Sequence, residues 1–263
     1  MEMEFYKYEG VGNDFILIDD RTELFPRNNP GLVRFLCDRR FGIGADGLML
    51  LRPAPEFDFQ MVYYNSDGNE SSMCGNGGRC IAAFARTLGI IRQEYRFMAV
   101  DGEHLAVILS DGQVRLKMVN VTEVESGNGY FYLDTGSPHY VKFVTSAGDL
   151  DILTEGRKIR YNERFKSPGT NVNFVEDLGD HIFVRTYERG VENETLACGT
   201  GVVASAICSA ILAGHNHQTI SVPVKTKGGL LKVSFKQDDN TFTDIWLEGP
   251  ATFVFKGTVD IRE

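Results

Sequence analysis

The chain has 263 residues, 43% of them hydrophobic and 24% charged, with a formal net charge of -9. That length suits one large domain or two of ordinary size, with a core that needs no disulfide or metal to hold it. The acidic balance excludes a general nucleic-acid surface, which requires clustered Lys and Arg.

The basic cluster Arg157-Lys158-Ile159-Arg160 is short and reads as a solvated edge or turn. The N-terminal Met1-Glu2-Met3-Glu4-Phe5 is acidic and lacks the apolar stretch of a signal peptide. No apolar run approaches the ~20 residues a membrane helix needs, so neither a membrane nor a nucleic-acid partner is expected. The five cysteines, Cys37, Cys74, Cys80, Cys198 and Cys208, are odd in number and scattered. They read as reduced thiols in a cytoplasmic protein.

In chain order, strands dominate. Phe15–Asp19 is a short apolar run after a glycine-bearing turn, and Gln60–Tyr64 is a second strand. Val114–Val119 and Ile182–Tyr187 alternate apolar and polar residues as half-buried strands do, and Thr252–Phe255 is another near the end. A surface helix is predicted within Pro26–Asp38. Two Ala-rich segments read as helices capped by glycine: Gly78–Leu88, stopping at Gly89, and Val202–Ala213, stopping at Gly214. The second is apolar around nearly its whole circumference, so it is expected to be buried under sheet.

The chain also repeats itself. Residues 65–77 end in Cys74-Gly75-Asn76-Gly77, and residues 189–201 end in Cys198-Gly199-Thr200-Gly201. In each copy a strand enters, a polar turn follows, and Cys-Gly-x-Gly opens a helix. Glu70 and Glu194 lie four residues before their cysteines, and Asn65 and Arg189 lie nine before. A weaker echo sets Gly12-Asn13-Asp14-Phe15 against Asn171-Val172-Asn173-Phe174.

A cysteine at a helix start meets unpartnered backbone amides and the positive end of the helix dipole, which stabilise its thiolate. The glycines let an anion reach those amides. One motif thus supplies a tuned thiol and a carboxylate cradle. Two such motifs on one amino acid could remove the Cα proton from one face and return a proton to the other. A lone cysteine is more often structural than catalytic; two in one setting shift the balance toward function. Cys80 lies six residues beyond Cys74, about 240° around the helix, and reads as core, as does Cys208. Cys37 has no supporting motif.

Several segments together resemble the diaminopimelate epimerase family over nearly the whole chain. They are Gly12-Asn13-Asp14-Phe15, Asn65-Ser66-Asp67-Gly68, Cys74-Gly75-Asn76-Gly77, the stretch from Tyr187-Glu188-Arg189-Gly190 to Glu194-Thr195-Leu196-Ala197-Cys198-Gly199-Thr200-Gly201, and Glu248-Gly249-Pro250-Ala251. The resemblance implies interconversion of LL- and meso-diaminopimelate without pyridoxal phosphate, metal or other cofactor, on the route to lysine and peptidoglycan. It implies Cys74 and Cys198 as the two bases, with His139, near one thiol, and Glu188 completing the catalytic set. Gly75, Asn76, Gly199 and Thr200 would offer amides to the reacting carboxylate. Asn13, Asn65, Asn171 and Arg189 would hold the amino and distal carboxylate groups, and Glu188 would neutralise ammonium. Taken singly, these asparagines are also plain turn residues. Ser137 and Gly47 depart from the family, many members having Asn at the first position and some Gln at the second.

The implied fold is α+β: two similar pseudo-symmetric domains, each a curved, mostly antiparallel sheet wrapped around a central helix, with the active site in the interdomain cleft. The expected boundaries are 1–119 and 120–249, with 250–263 returning to the first domain. A homodimer is the assembly left open. Rival readings are a proline or hydroxyproline racemase or phenazine-type isomerase of the same superfamily, a thiol redox or metal-binding protein, and a non-catalytic amino-acid-binding domain. The redox or metal reading would be marked by Cys-x-x-Cys or close Cys/His pairs, and neither occurs; His215 and His217 stand in an expected loop.

Overall fold

The computed structural model describes residues 2–261. The chain forms two compact units, one running to Leu116 and resumed from Pro250, the other Lys117–Gly249. The class is α+β, with mixed sheet and four helices.

In the first unit, β1 (Glu2–Gly10) lies antiparallel to β2 (Asn13–Asp19) and to the returning β18 (Thr252–Asp260). Helix α1 (Pro30–Cys37) then leads to β3 (Gly47–Arg52), which is parallel to β2. Strand β4 (Phe59–Asn65) runs back against β3, and the short β5 (Glu70–Ser71) pairs with it. Helix α2 (Gly75–Thr87) crosses to β6 (Tyr95–Ala99), parallel to β4. Strands β7 (Gly102–Ile108) and β8 (Val114–Lys117) follow in antiparallel steps.

The second unit repeats that order. Strands β9 (Val124–Gly127), β10 (Tyr130–Asp134) and β11 (Pro138–Phe143) form an antiparallel run. Helix α3 (Ile152–Arg160) connects β11 to its parallel neighbour β12 (Asn171–Asp177). Then come β13 (Ile182–Glu188), β14 (Asn193–Thr195) and helix α4 (Gly199–Leu212). Strand β15 (Gln218–Lys225) is parallel to β13, and β16 (Leu230–Asp238) and β17 (Thr241–Gly249) close the unit in antiparallel steps.

Shared topology corrects the weaker echo. The strand–helix–strand step β2–α1–β3 matches β11–α3–β12, so Gly12-Asn13-Asp14-Phe15 corresponds to Gly136-Ser137-Pro138-His139, not to Asn171–Phe174. Both leading glycines are left-handed, with φ 85° and 101°. The register agrees: Phe15 sits opposite Gly47, and His139 opposite Asn171.

The helices obey local rules. The Asn29 side chain accepts the Leu32 amide and Pro30 occupies the first turn of α1, fixing its start inside the predicted Pro26–Asp38 segment. Helices α2 and α4 stop before Gly89 and Gly214, which take φ of 83° and 70°. Arg157, Lys158 and Arg160 lie not in a solvated edge or turn but in the last turn of α3, where cations offset the exposed carbonyls. The Asp151 side chain caps its start by accepting the Thr154 amide. Gly156 stands inside α3 because a Cβ there would lie 2.4 Å from Tyr187 Cβ, so helix and strand approach too closely for any side chain.

Both cores are continuous apolar layers. Leu32, Val33, Leu36 and Cys37 of α1 pack on Ile16, Ile18, Leu48, Leu50 and Val62. Ile152 of α3 packs on Val172, Phe174 and Tyr187. Helix α4 is buried from Val202 to Cys208, as its apolar circumference predicts, and contacts β11, β12, β13 and β15. Cys80 and Cys208 are fully buried, as expected of core residues.

Arg185 ties the second unit together. Its guanidinium forms a fork with Glu194 at 2.6 and 2.9 Å and donates to the carbonyls of Ala147, Gly148 and Leu150. Removing one side of a largely buried ion pair strands the other. Arg185→Ala should therefore lower the unfolding free energy by about 3 kcal/mol, read from urea denaturation; a loss within the ~0.5 kcal/mol range of surface changes would refute this role.

Candidate active site

Each repeat cysteine is the residue that caps its helix. Cys74 (φ -97°, ψ 133°) precedes α2, and Cys198 (φ -115°, ψ 112°) precedes α4. The first intrahelical bonds run from Gly78 N to Cys74 O and from Val202 N to Cys198 O. The amides of Gly75, Asn76 and Gly77, and of Gly199, Thr200 and Gly201, therefore come before the first helical bond. They form the turn that can cradle an anion. Neither cysteine caps its helix through a side-chain hydrogen bond. Cys198 is 9% exposed, while Cys74 is half-buried.

Around Cys74, the Sγ lies 3.6 Å from Asn13 Oδ1, and Asn76 Nδ2 donates to the same oxygen at 3.3 Å. Asn13 Nδ2 in turn donates to Asp46 Oδ2 at 2.7 Å. Arg79, which the sequence did not single out, is fully buried one turn below. It donates to Gly75 O, Asn76 Oδ1 and Pro250 O at 3.1, 3.1 and 3.3 Å. Gly10 packs closely here: a Cβ would press on Arg79 Nη2 and Cys80 Sγ at 3.2 and 3.4 Å. The carboxyl of Asp14, beside Asn13, is raised by burial but held net at about 2 by Arg39 and Lys7. Asn65 ends β4 on the exposed side, opposite Gly47. A Cβ at Gly47 would come within 2.5 Å of Tyr63 Cε2 and 2.6 Å of Tyr64 O. A longer side chain has no room here.

Around Cys198, Thr200 Oγ1 lies 3.5 Å from Sγ and 2.9 Å from His139 Nε2. His139 is fully buried, and burial, with Arg189 nearby, pushes its pKa down to about 3. Its other nitrogen, Nδ1, faces Asn173 Nδ2 at 3.0 Å. Both ring nitrogens are thus engaged, and the imidazole is neutral at physiological pH. Asn171 links to the departing residue Ser137: Asn171 Nδ2 donates to Ser137 Oγ at 3.0 Å, and Arg189 Nη2 donates to the same hydroxyl at 3.3 Å. Asn171 Oδ1 also accepts the Arg189 amide at 2.8 Å. Glu188 Oε2 accepts from Thr195 Oγ1 at 2.8 Å.

The expected residues other than Asn65 thus gather into two clusters, one in each unit. The first contains Asn13, Cys74, Gly75 and Asn76; the second contains His139, Asn171, Arg189, Cys198, Gly199 and Thr200, with Glu188 on the strand beside Arg189. Glu70 and Glu194, equidistant from their cysteines in sequence, form ion pairs with Arg27 and Arg185 instead. Asn173 and Arg79 were missed as site residues. The signal for Asn173 was a polar residue inside an otherwise apolar strand; for Arg79, a charge in an Ala-rich helix.

The chain shares its fold with solved structures over nearly its whole length. A Bacillus anthracis phenazine biosynthesis protein of the PhzF family superposes with a TM-score of 0.75 at 14% identity, over 99% of this chain and 100% of that one. A hydroxyproline epimerase from Agrobacterium vitis superposes with a TM-score of 0.69 at 14% identity, over 98% and 92%. At that identity the likeness is one of fold. Sequence narrows it. The diaminopimelate epimerase family model matches residues 5–125 and 131–254. The chain is 51% identical to the diaminopimelate epimerase of Flavobacterium psychrophilum, over 98% of this chain and 100% of that protein. It is 44% identical to that of Chlorobaculum tepidum, over 96% and 99%. The chain belongs to the diaminopimelate epimerase family.

The last glycine of each motif serves a different neighbour. A Cβ at Gly77 would strike Met49 Cε at 2.1 Å, whereas one at Gly201 would strike Asn173 Oδ1 at 2.4 Å. Gly201→Ala should therefore cost about 2 kcal/mol of stability and displace the His139–Asn173 pair. Gly148→Ala, which meets nothing within 4 Å, should be near neutral. Thermal unfolding of the two variants decides; equal melting temperatures would refute the clash.

Proposed function

We propose that this chain interconverts LL- and meso-2,6-diaminopimelate by cofactor-independent two-base proton transfer, with Cys74 and Cys198 as the bases. The observation that carries this reading is that both cysteines cap helices at equivalent places in two units of one topology. A Cα–H beside an ammonium and a carboxylate is a very weak acid. Its carbanion survives only where preorganised donors offset the developing charge. The amides opening α2 and α4 are such donors. One thiolate takes the proton, and the other sulfur, as a thiol, gives one to the opposite face. Carbon bonding is otherwise unchanged and the two sulfurs exchange protonation states.

Arg189 has the fork geometry for a carboxylate, and with Asn171 and Ser137 it defines a polar grip for the distal end. Glu188 supplies the anion for an ammonium. Asn13, Asn65 and Asn76 complete the polar set of the first unit. His139, buried and neutral, orients Thr200 and does not itself exchange protons with bulk solvent.

A cytoplasmic setting suits the reading, because the chemistry needs reduced thiols. No helix among the described residues is long and apolar enough to cross a membrane. A homodimer is proposed along β18, both faces of which are open: Phe253, Val254 and Phe255 are exposed by 47%, 51% and 44%. Val254→Asp should convert the species seen in sedimentation from dimer to monomer, and a wild-type monomer would refute the assembly.

Proton NMR of LL-diaminopimelate with the enzyme in D2O and reductant should show α-deuteration and meso product. Cys74→Ala and Cys198→Ala should each lower turnover by about 10³-fold. Exchange of the α-proton of proline, with diaminopimelate untouched, would overturn the substrate assignment.

A further inference from the structure

Hydrogen-bond chains end on the two cysteines, and groups that can play only one role orient the first chain as far as Cys74 and the second as far as Thr200. In the second unit the fixed group is the Tyr140 carbonyl, which can only accept. Asn173 Nδ2 lies 3.2 Å from it, and Thr186 Oγ1 donates to Asn173 Oδ1 at 2.9 Å. The Asn173 amide therefore has one orientation, and it presents an N–H to His139 Nδ1 at 3.0 Å. A neutral ring that accepts at Nδ1 carries its proton on Nε2. Nε2 donates to Thr200 Oγ1 at 2.9 Å, which leaves the Thr200 hydroxyl proton available to Cys198 Sγ, 3.5 Å away.

In the first unit the fixed groups are Arg79, which can only donate, and the Asp46 carboxylate, which only accepts. Arg79 Nη2 donates to Asn76 Oδ1 at 3.1 Å, so Asn76 turns its Nδ2 to Asn13 Oδ1 at 3.3 Å. Asp46 takes Asn13 Nδ2 at 2.7 Å. Asn13 must therefore show Cys74 its carbonyl oxygen, and Cys74 Sγ donates to it at 3.6 Å.

A donor at sulfur favours the thiolate, and an acceptor favours the thiol. We infer that Thr200 is a positioning residue that holds Cys198 as the resting thiolate, through a relay running from Thr186 by way of Asn173 and His139, while Asn13 holds Cys74 as the resting thiol. The inference rests on the two-base reading above and assigns its starting state: a two-base site needs one sulfur of each kind before substrate arrives.

The charged neighbours divide accordingly. Arg79 draws Cys74 toward thiolate. Against it stand Asp46, Glu9, which acts on Arg79, and Asp101, which accepts the Met73 amide at 3.2 Å and also bonds His104. Cys80, below, is held as a thiol by complete burial. Near Cys198 the ring of His139 is neutral, and Arg189 and Glu188 oppose each other in sign.

The thiolate can be followed directly by its ultraviolet absorbance against pH, with no substrate present. In Cys74→Ala the titrating thiol is Cys198, and in Cys198→Ala it is Cys74. The other cysteines stay silent through the neutral range, since burial pushes Cys37 up to about 12 and Cys80 and Cys208 further. Cys198 should reach half-ionisation at least about one pH unit, or tenfold in proton affinity, below Cys74. In the Cys74→Ala background, Thr200→Val should raise the Cys198 midpoint by a similar amount, and Thr200→Ser should restore it. In the Cys198→Ala background, Asn13→Ala should lower the Cys74 midpoint. A Cys74 midpoint at or below that of Cys198, or a Thr200→Val midpoint unchanged in a folded variant, would overturn the inference. Turnover of diaminopimelate together with the reversed order would defeat the relay alone. The expected order in a protein inert toward diaminopimelate would defeat the functional reading and leave the relay standing.

Discussion

A cysteine placed where a helix begins is the constraint from which the rest follows. The residue before a helix cannot have its own amide neighbours satisfied by the helix, and the dipole makes that end attractive to negative charge. Sulfur there is reactive, but small glycines must follow, or no anion reaches the amides. Glycines in turn weaken the start of a helix. Both helices offset this by burial: α2 is buried from Gly75 to Ala82, and α4 from Gly201 to Cys208. Sheet packing, not intrinsic propensity, keeps these helix starts in place.

Duplication of one topology brings two such starts into one chain, but the supporting contacts have diverged. Gly47 in β3 corresponds to Asn171 in β12, and two residues further on Met49 corresponds to Asn173. Met49 fills space against Gly77, while Asn173 bonds with His139 beside Gly201. One unit supports its motif by apolar contact and a buried arginine, the other by a buried polar network. A polar network in a dry interior requires every group to be matched, and the second cluster meets this at His139 and Asn173 through bonds on both sides of each.

Much of this was legible in the sequence. The two cysteines stood out because their flanking glycines and polar turns recur at the same spacing, and local rules of capping carried both helix ends. Helix α3 was hidden because Gly156 breaks its pattern and its last turn is a run of charges; only the approach of Tyr187 explains that glycine. The counterpart of Gly12–Phe15 was misplaced for a related reason. Asn171–Phe174 shares letters with it, whereas Gly136–His139 shares a strand start and a left-handed glycine, and backbone conformation leaves a faint trace in side-chain identity. Arg79 escaped notice because one of the groups that accept its protons, Pro250 O, is distant in sequence.

That bond from Arg79 to Pro250, with the pairing of β18 on β1, bears on how the molecule is made. Residues 117–249 are contiguous, so the second unit has all its parts before synthesis ends. The first unit comes earlier in the chain yet lacks the second partner strand of β1 and the third acceptor of its buried guanidinium until residues beyond 249 leave the ribosome. Domains fold as units during synthesis, and here the half translated first is the half completed last.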